Sequence, residues 1–169
     1  LPGCDPVYTV YDSADRPIFV QDGMQRSKGE WSFSIPDVFG RIVLTGTCKN
    51  TLNHANDPLK NVVVKATRLT GTNQTNELKG YTLPSKVALT TPVILSVNYY
   101  DRYNFIGSNG IPSGAATAYE KVAGYDQLRT VGVKGLLTGT LTAKISGNGT
   151  VSGYLYSVMY YDERGRMIQ

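Results

Sequence analysis

Apolar and polar residues alternate along much of this chain with a period of two. Val7-Tyr8-Thr9-Val10-Tyr11 puts Val7, Thr9 and Tyr11 on one side of an extended segment. Trp31-Ser32-Phe33-Ser34-Ile35 alternates strictly, so Trp31, Phe33 and Ile35 share a face, the mark of a half-buried strand. Arg41–Thr47 predicts another strand, and the β-branched run Val62–Thr67 a further one. Pro92–Tyr100 is the longest apolar run and fits a buried strand, with Val93, Leu95 and Val97 facing one way. Leu136–Ile145 and Thr150–Tyr161 read as a hairpin pair around the turn Ser146-Gly147-Asn148-Gly149.

Helical signals are few. Ser113–Val122, with Ser113 as N-cap and Gly124 as the stop, predicts a turn or two of helix around Ala115–Val122. Gly71–Glu77 is polar and reads as an exposed hairpin tip. The expected fold is all-β: antiparallel hairpins in one or two twisted sheets, in one segment spanning residues 1–169. No apolar stretch is long enough to span a membrane as a helix.

Composition supports this picture. Tyrosine dominates the aromatics, with 12 Tyr against 4 Phe and 1 Trp, and 18 Gly and 8 Pro punctuate the strands. The net charge of +4 invites a nucleic-acid reading, but the basic residues are scattered singly from Arg16 to Arg166 rather than gathered in a stripe. No nucleic-acid partner is expected. Cys4 and Cys48 offer one disulfide, and with His54 they fall short of the four ligands of a structural zinc site. Leu1-Pro2-Gly3-Cys4 has the look of a lipobox end, but Pro2 is unusual in that motif and a chance match at a chain boundary is the favoured reading. No cofactor and no metal are expected.

One motif recurs. Asp37-Val38-Phe39-Gly40-Arg41 and Asp162-Glu163-Arg164-Gly165-Arg166 share the pattern Asp-x-x-Gly-Arg. Two degenerate copies join them, Asp12-Ser13-Ala14-Asp15-Arg16 and Asp101-Arg102-Tyr103-Asn104-Phe105. In each, a strand ends and the Asp opens a turn, its carboxylate taking backbone N–H groups two residues on. The fourth slot needs positive φ, which Gly40 and Gly165 give freely and Asp15 and Asn104 tolerate. Arg16, Arg41 and Arg166 begin the next strand, heads solvated or paired with the Asp. Each copy is predicted to be a strand–turn–strand corner rather than a ligand site.

Tyr161-Asp162-Glu163-Arg164-Gly165-Arg166 followed by Met167 resembles the YD-repeat signature of bacterial RHS-repeat proteins, Tc toxin shells and teneurins. Phe39–Gly46 and Asn98–Asp101 resemble long cell-surface RHS-like proteins of the Bacteroidetes. The steps from Asp37 to Asp101 and on to Asp162 exceed the family's usual repeat and imply insertions. The resemblance implies a scaffold excerpted from a larger exported bacterial protein, extracellular or on the cell surface and associated with the outer membrane. Hairpins of such proteins coil into a shell, so the implied partners are adjacent repeats, with self-association through exposed strand edges. It implies no catalytic role for the repeat's Asp or Arg.

Rival readings rest on other residues. His54 beside Asp57 could act as a general base, yet no nucleophile elbow accompanies it. Paired carboxylates among Asp12, Asp15, Asp101, Glu120, Asp126 and Asp162 could cleave glycosides, but most belong to the turn motif. A carbohydrate- or protein-binding surface is the stronger rival. Tyr99, Tyr100 and Tyr103 could stack sugars, as could Tyr154, Tyr156, Tyr160 and Tyr161. Packing of the sheet accounts for the same residues. The sequons at Asn73 and Asn148 read as turns.

Overall fold

The strand-forming residues do build strands. In the computed structural model, which describes residues 5–71, 74–117 and 133–169, nine strands occur in chain order. They are β1 (Tyr8–Tyr11), β2 (Pro17–Gln21), β3 (Trp31–Pro36), β4 (Ile42–Cys48), β5 (Thr67–Arg68), β6 (Tyr81–Thr82), β7 (Val93–Tyr100), β8 (Leu137–Ile145) and β9 (Val151–Val158). Seven form one antiparallel sheet in the order β1-β2-β3-β4-β7-β8-β9, and β5 pairs with β6. The protein is all-β. No helix among the described residues is long and apolar enough to cross a membrane.

The chain divides into two compact units, Leu1–Thr67 with Thr82–Leu95, and Arg68–Tyr81 with Ser96–Gln169. In the first unit, Trp31, Phe33 and Ile35 are buried as their alternation predicts. Phe19 lies opposite Phe33, and Phe33 opposite Gly46. A Cβ on Gly46 would sit 2.2 Å from the Val93 carbonyl oxygen and 2.7 Å from Phe33 Cζ, so only glycine lets this row close. In β1, Val10 faces the core, while Tyr11 and the preceding Val7 are exposed.

In the second unit, Tyr99 pairs with Gly139. The missing side chain there leaves room for Phe105, whose ring lies 2.4 Å from where a Cβ would stand. Phe105 in turn stacks on Tyr99 at 4.4 Å and 4°. The predicted hairpin of β8 and β9 is present, paired from Gly139 opposite Val158 to Ile145 opposite Val151.

A helix stands where none was expected: α1 spans Gly23–Lys28. Of the expected Ser113–Val122 helix, Ser113–Thr117 forms a 3₁₀ helix, and residues 118–122 lie outside the described ones. An Asp22–Gln25 capping box starts α1, with bonds of 2.7 and 3.1 Å, and Gly29 at φ 62 ends it. Val62–Ala66 is not a strand; its main chain bonds to the corners instead, Ser13 donating to Val62 O at 3.0 Å and Ala66 donating to Pro36 O at 2.8 Å. On β7, Ile94, Val97 and Tyr99 are buried while Val93 and Leu95 are exposed, so the burial phase slips by one along the strand. In the expected exposed tip, Gln74 is wholly buried, its amide donating to Leu69 O at 2.6 Å; Asn73 lies outside the described residues.

Candidate functional site

The Asp-x-x-x-Arg corners are the feature that the sequence singles out. At Asp12, the main chain closes through Asp12 N–H to Arg16 O at 3.0 Å and Asp15 N–H to Asp12 O at 3.1 Å. The carboxylate takes the Ala14 and Arg16 amides on one oxygen, at 3.0 and 3.1 Å. Its other oxygen takes the Arg16 guanidinium at 3.1 and 2.6 Å. Asp37 repeats the arrangement with Phe39 and Arg41, the amides at 2.8 and 3.0 Å and Arg41 Nε at 2.7 Å. So does Asp162, with Arg164 and Arg166 amides at 2.9 and 2.8 Å and Arg166 Nε at 2.5 Å. The fourth slot is left-handed in all three, Asp15 at φ 55, Gly40 at φ 82 and Gly165 at φ 76.

All three carboxylates are buried. Burial pushes the Asp12 carboxyl up, but the bonds from Arg16, Val64 and Ala14 outweigh it and hold the group below its ordinary value. At Asp162 burial acts in the same direction and is likewise outweighed, by Arg166 and Arg164. Their lone pairs are spent on the turn and its arginine. Such a carboxylate is a poor general acid or base.

The fourth copy departs from the pattern. Asp101 itself is left-handed, at φ 71, and Asn104 does not have positive φ. Asp101 N–H donates to Leu136 O at 3.0 Å, as Asp12 N–H does to Arg16 O, and Gly135 N–H reaches the Asp101 carboxylate at 2.5 Å. Gly135, at φ 86, supplies the left-handed residue. The corner is thus closed by Gly135 and Leu136, and segment 102–134 is inserted within it. Asn104 instead accepts from Arg68 at 2.7 Å.

A fifth corner has neither Asp nor Arg. Ser146 N–H donates to Thr150 O at 2.8 Å, Gly149 N–H to Ser146 O at 2.9 Å, and Gly149 has φ 81. Asn148 Oδ1 takes the Thr150 amide at 3.3 Å, in place of the opening Asp. Glycine in the fourth slot between two strand runs is the signal for this copy in the sequence.

The tyrosines do not form a platform. Tyr99 is fully buried and its hydroxyl donates to Lys79 O at 2.7 Å, so packing, the reading preferred over sugar stacking, is the one that holds at this residue. Tyr100 and Tyr103 are half-buried, and the Tyr103 hydroxyl donates to Met159 O at 2.8 Å. Burial pushes the Tyr103 hydroxyl up to about 12. Tyr160 and Tyr161 are buried too, their hydroxyls donating to Ala115 O and Leu137 O. Tyr156 alone of the rivals' tyrosines is exposed, and Tyr154 is half-buried with Lys79 Nζ 4.6 Å from its ring centre.

Arg68 went unnoticed in the sequence. Its guanidinium donates to Tyr100 O at 2.6 Å and Asn104 Oδ1 at 2.7 Å, and lies 5.2 Å from the Tyr99 ring centre. Burial lowers its pKa. A lone Arg between Thr67 and Leu69 carries no sequence signal of this role.

Elsewhere the chemistry is sparse. The His54 ring stacks on Tyr8 at 3.7 Å, and Arg26 lies 4.4 Å from the centre of Tyr8. Among the described residues, no three of His, Cys, Asp and Glu gather as a metal site would need. Glu120 and Asp126 lie outside the described residues, as does Cys4, one half of the disulfide the sequence offers and the end of its lipobox-like run. Cys48 is buried, which pushes its thiol up to about 11. A groove of about 370 Å³ over β2–β4 is lined by Pro17, Val20, Pro36 and Ile42 and by Arg16, already held by Asp12. No family model matches this chain, and neither the curated proteins nor the solved structures yield a match.

Proposed function

We propose that the chain is a non-catalytic scaffold segment of an exported bacterial protein of the RHS/YD-repeat type, contributing hairpins to a larger β shell at the cell surface. The observation that carries the reading is the corner at Asp12, Asp37 and Asp162. Three separate turns spend a buried carboxylate on the same two amides and the same arginine. Such repetition suits a structural unit that is copied along a strip. A glycan-binding module would present aromatic faces, whereas Tyr99, Tyr160 and Tyr161 are buried.

The test is the structure of the whole natural polypeptide around residues 1–169, by electron cryomicroscopy. The scaffold reading expects hairpins with these corners to continue on at least one side and to enclose a separate domain. Flanking domains of unrelated fold, with residues 1–169 standing alone between linkers, would overturn it.

A further inference from the structure

The two outer strands of the seven-stranded sheet differ. β1 has four residues, whereas β9 has eight. A long edge is ordinarily blunted by charge or proline, because its unpaired N–H and C=O groups recruit other strands. Val151–Val158 contains no charged residue and no proline, and it exposes Leu155 and Tyr156 at 62% and 45%.

The main chain shows what this edge takes. Met159 N–H points to β8, donating to Thr138 O at 3.0 Å, while Tyr160 N–H points the other way and donates to Gln169 O at 2.8 Å. Ile168 N–H returns a bond to Tyr160 O at 2.8 Å, and Tyr161 bridges Met167. The residues after the Asp162 corner have therefore begun a strand on the side of the chain away from β8. Successive amides alternate in direction, so those of Val158 and Tyr156 share the side of Tyr160.

We propose that the outer edge of β9 receives a strand continuing from Gln169, antiparallel to β9, with the second residue after Gln169 opposite Val158 and the fourth opposite Tyr156. The register follows from the first corner, where Tyr11 pairs with Pro17 and Val10 with Phe19. Tyr161 with Met167 and Tyr160 with Gln169 are the equivalent pairs. The proposal rests on the scaffold reading for the source of that strand. The pairing at Tyr160 supplies its direction.

The test appends eight residues of alternating Thr and Val to Gln169 of the full chain, and reads amide hydrogen exchange by NMR with light scattering alongside. In the unextended chain, Tyr156 and Val158 amides are expected to exchange fast and Leu155 and Met159 slowly. The added strand should slow Tyr156 and Val158 by ~10-fold or more while the protein stays monomeric. Proline at the second and fourth added positions should abolish that protection. Slow exchange at Tyr156 and Val158 before any extension, in a monomer, would mean that another part of the chain covers the edge and would overturn the proposal. Protection accompanied by dimerisation would overturn it in favour of a second copy. An extension that leaves both amides fast would refute it as well. None of these results depends on whether the natural polypeptide forms a shell, which the structure of that polypeptide decides separately.

Discussion

Asp12 and Arg16 are joined by two side-chain hydrogen bonds, at 3.1 and 2.6 Å, and both reach over to the segment that follows residue 61. Val64 N–H donates to Asp12 at 3.0 Å, and Arg16 donates to Val64 O at 2.7 Å. The corner thus ties the irregular segment Val62–Ala66 to the first hairpin. Replacing Asp12 by Ala strands these donors and should destabilise the protein by about 3 kcal/mol in urea unfolding. A loss no larger than that of an exposed-site control such as Ser13→Ala would mean that the corner contributes nothing.

The same carboxylate fixes a pH dependence. Asp12 has a folded pKa below its ordinary value, so its contribution is fully present above about pH 5 and is lost as the pH falls through the lowered value. The stability gap between the parent and Asp12→Asn should therefore narrow on acidification from pH 6 to pH 2. Urea titrations at a series of pH values measure it; a gap that widens toward acid would contradict the assignment.

The fourth slot of the corner separates residues by backbone alone. Gly165 has φ 76, and a Cβ there meets nothing closer than Leu136 Cδ1 at 3.8 Å. Gly165→Val should cost about 1–2 kcal/mol through strain rather than collision. Asp15 occupies the same slot at φ 55, and Asp15→Gly should stay within about 0.5 kcal/mol of the parent. Equal effects of the two substitutions would dissociate stability from φ.

Gly46 tests packing instead. Alanine there would bring its Cβ to 2.2 Å from the Val93 carbonyl, a main-chain atom that cannot rotate away. The expected cost is about 3 kcal/mol, read as a lowered melting temperature. A melting temperature unchanged from the parent's would show that β4 carries no such contact.

Cys48 should resist alkylation in the folded protein at neutral pH, because burial both shields the thiol and raises it to about 11. Mass spectrometry after iodoacetamide treatment, with and without denaturant, measures this. Rapid labelling without denaturant would place the thiol at the surface.

What could be read from the sequence was local. The β8–β9 hairpin and the Trp31-Phe33-Ile35 face announce themselves through alternation and a glycine turn, and both signals lie within a few residues. The corners at Asp12, Asp37 and Asp162 were legible for the same reason, since each bond of the turn spans at most four residues. Asp22 and Gln25 form a capping box that was equally local and could have located α1. The rest depended on distant partners. Val62–Ala66 has the composition of a strand, but its bonds go to Ser13 and Pro36, far back in the chain. Arg68 finds its acceptors at Tyr100 and Asn104, and Asp101 finds its closing residues at Gly135 and Leu136. No window of the sequence contains both halves of these contacts.

The Asp101 corner has a wider consequence. It holds its two strands in register although the residues that open and close it are separated by the whole of segment 102–134. The segment so inserted sends Phe105 back beneath the hairpin, stacked on Tyr99 and filling the space that Gly139 leaves. The insertion at this tip is thereby part of the core of the sheet that it interrupts.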